Sequence, residues 1–110
     1  MTDPAQALTA DETATRERLA GLRREFAQIV DSADTATDDE HDPEGTTAYD
    51  RARTATLIES ATKHLAEIAA ARGRLDAGTY GSCEVCDQRI PAERLAARPT
   101  ARTCVGCPPR

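Results

Sequence analysis

Two Cys-x-x-Cys pairs, Cys83-Glu84-Val85-Cys86 and Cys104-Val105-Gly106-Cys107, stand 17 residues apart near the end of a 110-residue chain and use every cysteine it has. A Cys-x-x-Cys turn brings two thiolates within reach of one ion, at about 2.3 Å each, and two such turns complete a tetrahedron. Four protein ligands leave no position open for water or substrate, so the expected role is structural. The expectation is one Zn(2+) ion held by Cys83, Cys86, Cys104 and Cys107. The 25 residues from Cys83 to Cys107 hold only Ile90, Leu95 and two valines as larger aliphatic residues. Burial alone cannot fold such a segment, whereas an apparent zinc binding energy of roughly 10–16 kcal/mol can.

Paired cysteines have other uses: a redox dithiol, two disulfides, or an iron–sulfur centre. The N-terminus, Met1-Thr2-Asp3-Pro4, lacks the basic start and apolar run of a secretory signal. No stretch approaches the roughly 20 apolar residues that span a bilayer. The expected compartment is therefore the cytoplasm, where disulfides fit poorly. A lone redox Cys-x-x-Cys belongs beside a βαβ pattern, and none is visible. Zinc is the preferred reading, with iron and redox-labile thiols as the alternatives.

The rest of the chain has little to build a core from. Of its residues 39% are hydrophobic, but 21 are alanine, and Leu, Ile, Val and Phe together number 15. With no Trp and one Phe, a wide globular core is excluded. Slender helices with alanine-rich seams remain. Thr9-Ala10-Asp11-Glu12 matches a capping box and predicts a helix start, with residues 1–8 as a flexible tail. Leu19, Leu22, Phe26 and Ile29 then form a stripe at a/d spacing, and Glu12 and Arg16 make an i,i+4 pair. After a region rich in Ser, Thr, Asp, Pro and Gly, Asp42-Pro43 or Thr47 caps a second helix. Its stripe runs Ala55, Ile58, Ala61, Leu65, Ile68, Arg72 and Leu75, with Arg72 expected to turn its guanidinium outward. Gly78 is a natural stop. Each stripe alone is too thin to be stable in water, so the helices must pair antiparallel. Folding about residue 42 sets large residues against small ones. The expected architecture is mainly α: a long antiparallel coiled-coil hairpin over 9–78, and a small zinc ribbon over 79–110 with a short helix at Pro91–Ala97.

The net charge of −5 is unevenly spread. From Asp31 to Asp50 there are eight carboxylates and no Lys or Arg, so the remaining residues carry +3. A chain that grips duplex DNA shows the reverse, a dense basic stripe, and direct DNA binding is not expected. The acidic window, about 31–46, falls at the tip of the hairpin. Asp38, Asp39, Glu40, Asp42 and Glu44 are its candidate partner-binding residues, although acidic turns between helices often serve solubility alone. Arg94, Arg98 and Arg102 give the ribbon a basic face, a solvated surface or a docking site for an acidic partner. His41 and His64 have no assigned role. With the thiolates committed to metal and no His/Asp constellation, an enzyme is not expected.

Gly78-Thr79-Tyr80-Gly81-Ser82-Cys83-x-x-Cys86, followed by Ile90-Pro91-x-Glu93-Arg94-Leu95-x-Ala97-Arg98-Pro99-x-Ala101-x-x-Cys104-x-x-Cys107, closely resembles the signature of the DksA/TraR C4-type zinc-finger family. The resemblance implies a bacterial transcription regulator that binds RNA polymerase rather than DNA, as a monomer. It further implies that the coiled coil enters the secondary channel of the polymerase and that acidic tip residues alter promoter complexes. A stiff narrow rod suits a pore, and its acidic end suits cationic groups or magnesium around a phosphoryl-transfer centre. Some family members act with ppGpp. Here three residues follow Cys107, so the C-terminal helix of longer members is not expected and ppGpp is a doubtful partner. Two further departures matter. The family tip has Asp-Pro-x-Asp where this chain has Asp42-Pro43-Glu44-Gly45, with Gly45 in place of the second aspartate. Asp87 also replaces the glycine usual after the second cysteine, which should strain that turn. Outside this family, the same features fit a zinc-ribbon adaptor for another protein or a thiol redox sensor that loses zinc on oxidation.

Overall fold

The computed structural model describes residues 3–35 and 46–107. Helix α1 spans Pro4–Thr35, α2 spans Thr46–Ala77 and the short α3 spans Ala92–Ala97. Among the described residues there is no strand beyond a single antiparallel bridge, Ser82 with Arg89. No helix among the described residues is long and apolar enough to cross a membrane. The predicted acidic tip residues Asp38, Asp39, Glu40, Asp42 and Glu44 lie outside the described residues.

Helix α1 begins five residues earlier than the capping box predicts. Asp3 supplies the cap: its backbone carbonyl accepts from Ala7 N at 2.9 Å and its carboxylate from Gln6 N at 3.4 Å. Pro4 follows at the first helical position, where a missing N–H costs nothing. The Thr9 hydroxyl donates back to Ala5 O at 3.0 Å, the bond of a mid-helix threonine rather than of a cap. The expected flexible tail is thus helical from Pro4, and the reason is Leu8, which is fully buried. Burying a leucine is worth about 1.5–3 kcal/mol, enough to draw the first turns into register.

The contacts divide the chain into two compact units, Met1–Ala14 with Leu65–Arg110, and Thr15–His64. In the first, Leu8, Ile68 and Ala71 form the buried core, with Leu65, Leu75 and Tyr80 packed against it. Across this unit Arg72 pairs with Glu12 at 2.6 Å and donates to Thr9 Oγ1 at 3.3 Å. Arg72 therefore reaches across to α1 instead of turning outward, because an opposite charge occupies the facing position. Both residues lie equally far from residue 42, the predicted fold point.

Among the described residues of the second unit the buried side chains are Thr15, Leu19, Thr54 and Ala61. Here the α2 stripe differs from the expected one: Thr54 is buried and Ala55 is exposed. Spacing explains the difference. The series 54, 58, 61, 65, 68 follows steps of four and three, which keep to one face of a 3.6-residue helix, whereas two successive steps of three drift off it.

Candidate metal centre

Helix α2 ends where Gly78 was expected to stop it. Gly78 adopts φ 78°, its N–H bonds to Leu75 O at 3.2 Å, and Thr79 N bonds to Arg74 O at 2.9 Å. These two bonds make a Schellman motif, which only a residue tolerant of the left-handed region closes without strain. The chain then turns into the ribbon. Cys83 N donates to Gln88 O at 2.8 Å, Asp87 N to Cys83 O at 3.0 Å and Ile90 N to Gly81 O at 2.7 Å, forming a knuckle around the first cysteine pair. Asp87 closes it at φ 62°. This is the left-handed conformation glycine adopts freely and aspartate at a cost, so the strain expected of this substitution is present.

The second pair is brought alongside by hydrogen bonds that join the two halves of the ribbon. Glu84 N donates to Arg102 O at 2.9 Å, and the Arg102 guanidinium meets the Glu84 carboxylate at 3.5 Å. Arg94 Nε donates to Thr103 O at 2.9 Å. Helix α3 sits between them, with Pro91 as its N-terminal cap residue rather than within the helix. Arg98 ends it in an extended conformation, φ −137° and ψ 86°, as a residue before proline must. Two bonds tie this segment to the end of α2 and its exit: Tyr80 Oη to Pro99 O at 2.8 Å and Arg74 Nη2 to Thr100 O at 3.3 Å. Arg74 was not singled out from the sequence, and Tyr80 entered only as a position of the quoted signature.

The four sulfurs all lie within 4.8 Å of one another. Cys86 and Cys104 are 3.7 Å apart, and Cys104 and Cys107 are 3.6 Å apart. Ligands at about 2.3 Å from a tetrahedral ion stand roughly 3.8 Å from each other, while a disulfide needs about 2.05 Å. The spacing fits four ligands to one ion and excludes a bonded pair, and no cysteine is in a disulfide.

The protonation of the thiols shows the same crowding. Burial pushes the Cys83 thiol up, but the backbone amides of Cys86, Cys104 and Val85 more than offset it and bring it down to about 6. Val85 N lies 3.4 Å from the Cys83 sulfur. Cys107 is pushed up to about 12, chiefly by the neighbouring sulfurs of Cys104 and Cys86. A thiolate is favoured at Cys83 and resisted at Cys86 and Cys107. Four thiolates at these distances require a cation among them, so the donor set suits a structural zinc ion.

Comparison with known proteins agrees with this site. The sequence profile of the prokaryotic dksA/traR C4-type zinc finger matches residues 78–107. The solved structure of transcription factor DksA2 from Pseudomonas aeruginosa aligns with a TM-score of 0.74 and 26% identity, covering 89% of this chain and 71% of that one. This chain belongs to the DksA/TraR family. Among curated DksA/TraR-like relatives, the RNA polymerase-binding transcription factor DksA of Haemophilus influenzae is 33% identical over 89 residues, 81% of this chain and 55% of that protein. General stress protein 16O of Bacillus subtilis is 33% identical over 93 residues, 82% of this chain and 57% of that protein. The chain thus spans little more than half the length of these curated relatives.

The structure brings together Cys83, Cys86, Cys104 and Cys107. The three arginines of the basic face, Arg94, Arg98 and Arg102, line one small cavity of about 110 Å³. Two of them have internal work, Arg94 on Thr103 O and Arg102 on Glu84. That favours a structural role over a free docking face.

Proposed function

We propose that this chain is a transcription regulator that binds RNA polymerase directly, with its helical hairpin entering the secondary channel and its acidic residues acting there on initiation. In this reading Cys83, Cys86, Cys104 and Cys107 hold one zinc ion that folds the ribbon and takes no part in chemistry. Asp38, Asp39, Glu40, Asp42 and Glu44 are the effector residues. The protein works in the cytoplasm as a monomer and needs no contact with DNA, and nothing in the reading calls for catalysis.

The observation that carries the proposal is the likeness to transcription factor DksA2 across 89% of the chain, since it extends well beyond the zinc finger into the hairpin. A finger alone would support only a metal-stapled adaptor. The Haemophilus influenzae relative, whose name states polymerase binding, supports the choice of partner.

In the test, purified protein is added to RNA polymerase and promoter DNA, and transcript yield is followed for wild type and for a variant with Asp39→Asn, Glu40→Gln, Asp42→Asn and Glu44→Gln. Wild type is expected to change initiation, and the variant to bind yet lose that effect with helicity intact. Equal activity of the variant would remove the tip from the mechanism.

A further inference from the structure

Within the unit Thr15–His64, the pairing of the helices leaves a groove of about 410 Å³ lined by Glu25, Gln28 and Ile29 of α1 and by Asp50, Arg53 and Thr54 of α2. Its composition is unusual for a helical seam. Elsewhere among the described helical residues the buried positions are mostly apolar, Leu8, Leu19, Ala61, Ile68 and Ala71, with Thr15 the exception. Here Thr54 is buried to 1% exposure and Ile29 is half-buried, while Glu25 and Asp50 are exposed and stand one on each helix. Two carboxylates against one guanidinium leave the lining with a net negative charge. Tyr49, 67% exposed, precedes Arg53 by four residues and so shares its side of the helix. Aromatic and arginine side chains left on a surface in this way are the residue types that anchor protein interfaces.

We infer that this groove receives a cationic side chain, arginine or lysine, presented by RNA polymerase. The inference rests on the polymerase-binding reading above and deepens it, adding a gripping site on the hairpin to the proposed effector residues. Charge complementarity selects this guest. Glu25 and Asp50 offer carboxylates from two helices, and Gln28 adds an amide carbonyl, so a guanidinium or ammonium entering between them gains acceptors on both sides. The Ile29 and Thr54 floor takes the apolar stem of a long side chain. The exposed Tyr49 ring can cover a guanidinium from outside. An anionic or purely apolar guest would gain neither.

The test measures the affinity of the full-length, zinc-loaded chain for RNA polymerase at two salt concentrations. The groove variant carries Glu25→Gln and Asp50→Asn. A control with Glu17→Gln and Glu59→Gln makes the same change in net charge at exposed positions outside the groove. The groove variant is expected to bind about tenfold more weakly with a shallower salt dependence, and the control to stay within about twofold of wild type. Circular dichroism keeps the comparison to folded protein. Groove and control variants that weaken equally would reduce the effect to net charge and overturn the groove. Wild type and groove variant binding alike would also overturn it, while leaving the polymerase reading intact. A wild-type chain that does not bind polymerase would end both.

Discussion

The two compact units are built from the same helices but held by different means. In the unit that contains the ribbon, Leu8, Ile68 and Ala71 are buried to 1% exposure or less, and Tyr80 joins that core to the loop after α3 through Pro99. In the unit Thr15–His64 the buried side chains among the described residues are one leucine, one alanine and two threonines, and part of the interhelical seam is an open polar groove. The difference teaches where stability and function can be separated. Apolar contact and sulfur chemistry are concentrated in the first unit, which frees the second to carry polar surface that a partner can use. Free energies of local opening follow contact density, so the second unit should exchange its amides more readily.

The largest effect should come from the metal. Chelation removes an apparent binding energy of about 10–16 kcal/mol, far more than four aliphatic residues can replace. NMR should show Cys83–Cys107 losing dispersed signals while most helical circular dichroism remains. Because the ligands bind metal as thiolates, acid competes with the ion. Zinc should be released as pH falls, because each ligand sulfur must take up a proton to let the ion go. Zinc retention at pH 4 would break this account.

Next in size is Leu8→Ala, which should destabilise the protein by about 2–5 kcal/mol, measured by urea unfolding. Thr54→Ala in the other unit removes only a hydroxyl and a methyl, and should cost about 1 kcal/mol. Equal costs would erase the contrast between the units. A flexible tail would tolerate the first substitution, so it also tests where α1 begins.

Tyr80→Phe should cost about 1 kcal/mol by deleting the bond to Pro99 O. It should also change the alkaline limb of the stability profile. Burial raises the Tyr80 hydroxyl above its usual value of 10.0, with Arg74 opposing. The folded state therefore holds the proton more tightly, and this contribution is fully present below about pH 10 and is lost as pH rises through the folded value. The Phe variant should lack that loss. The smallest effect is a gain: Asp87→Gly relieves a φ of 62° and should stabilise the zinc-loaded ribbon by up to about 1 kcal/mol. A loss of stability there would mean that the Asp87 side chain does something the backbone angle does not show.

Much of this was legible in the sequence because it depends on local chemistry. The cysteine spacing, the Gly78 stop, the strain at Asp87 and the antiparallel pairing about residue 42 follow from ligand reach, φ preference and the thinness of each stripe. What was missed depends on tertiary context. The Thr9 capping box was a sound local signal, but burial of Leu8 outweighed it and moved the helix start to Asp3 and Pro4. Threonines 15 and 54 read as polar, yet each sits on a seam where a small residue is needed. Arg72 looked like an outward-turning charge until its partner, 60 residues earlier in the chain, was in place. Tyr80 stands in the quoted signature and Arg74 in no motif, and for both only the folded loop after α3 reveals the acceptor.

In the proposed function a metal-stapled chain uses its hairpin on RNA polymerase. A photo-crosslinking residue placed at position 42 tests it most directly, in the zinc-loaded protein mixed with purified polymerase. The account predicts a zinc-dependent crosslink to the polymerase surfaces that line the secondary channel. No crosslink and no measurable binding by the folded, zinc-loaded chain would contradict it.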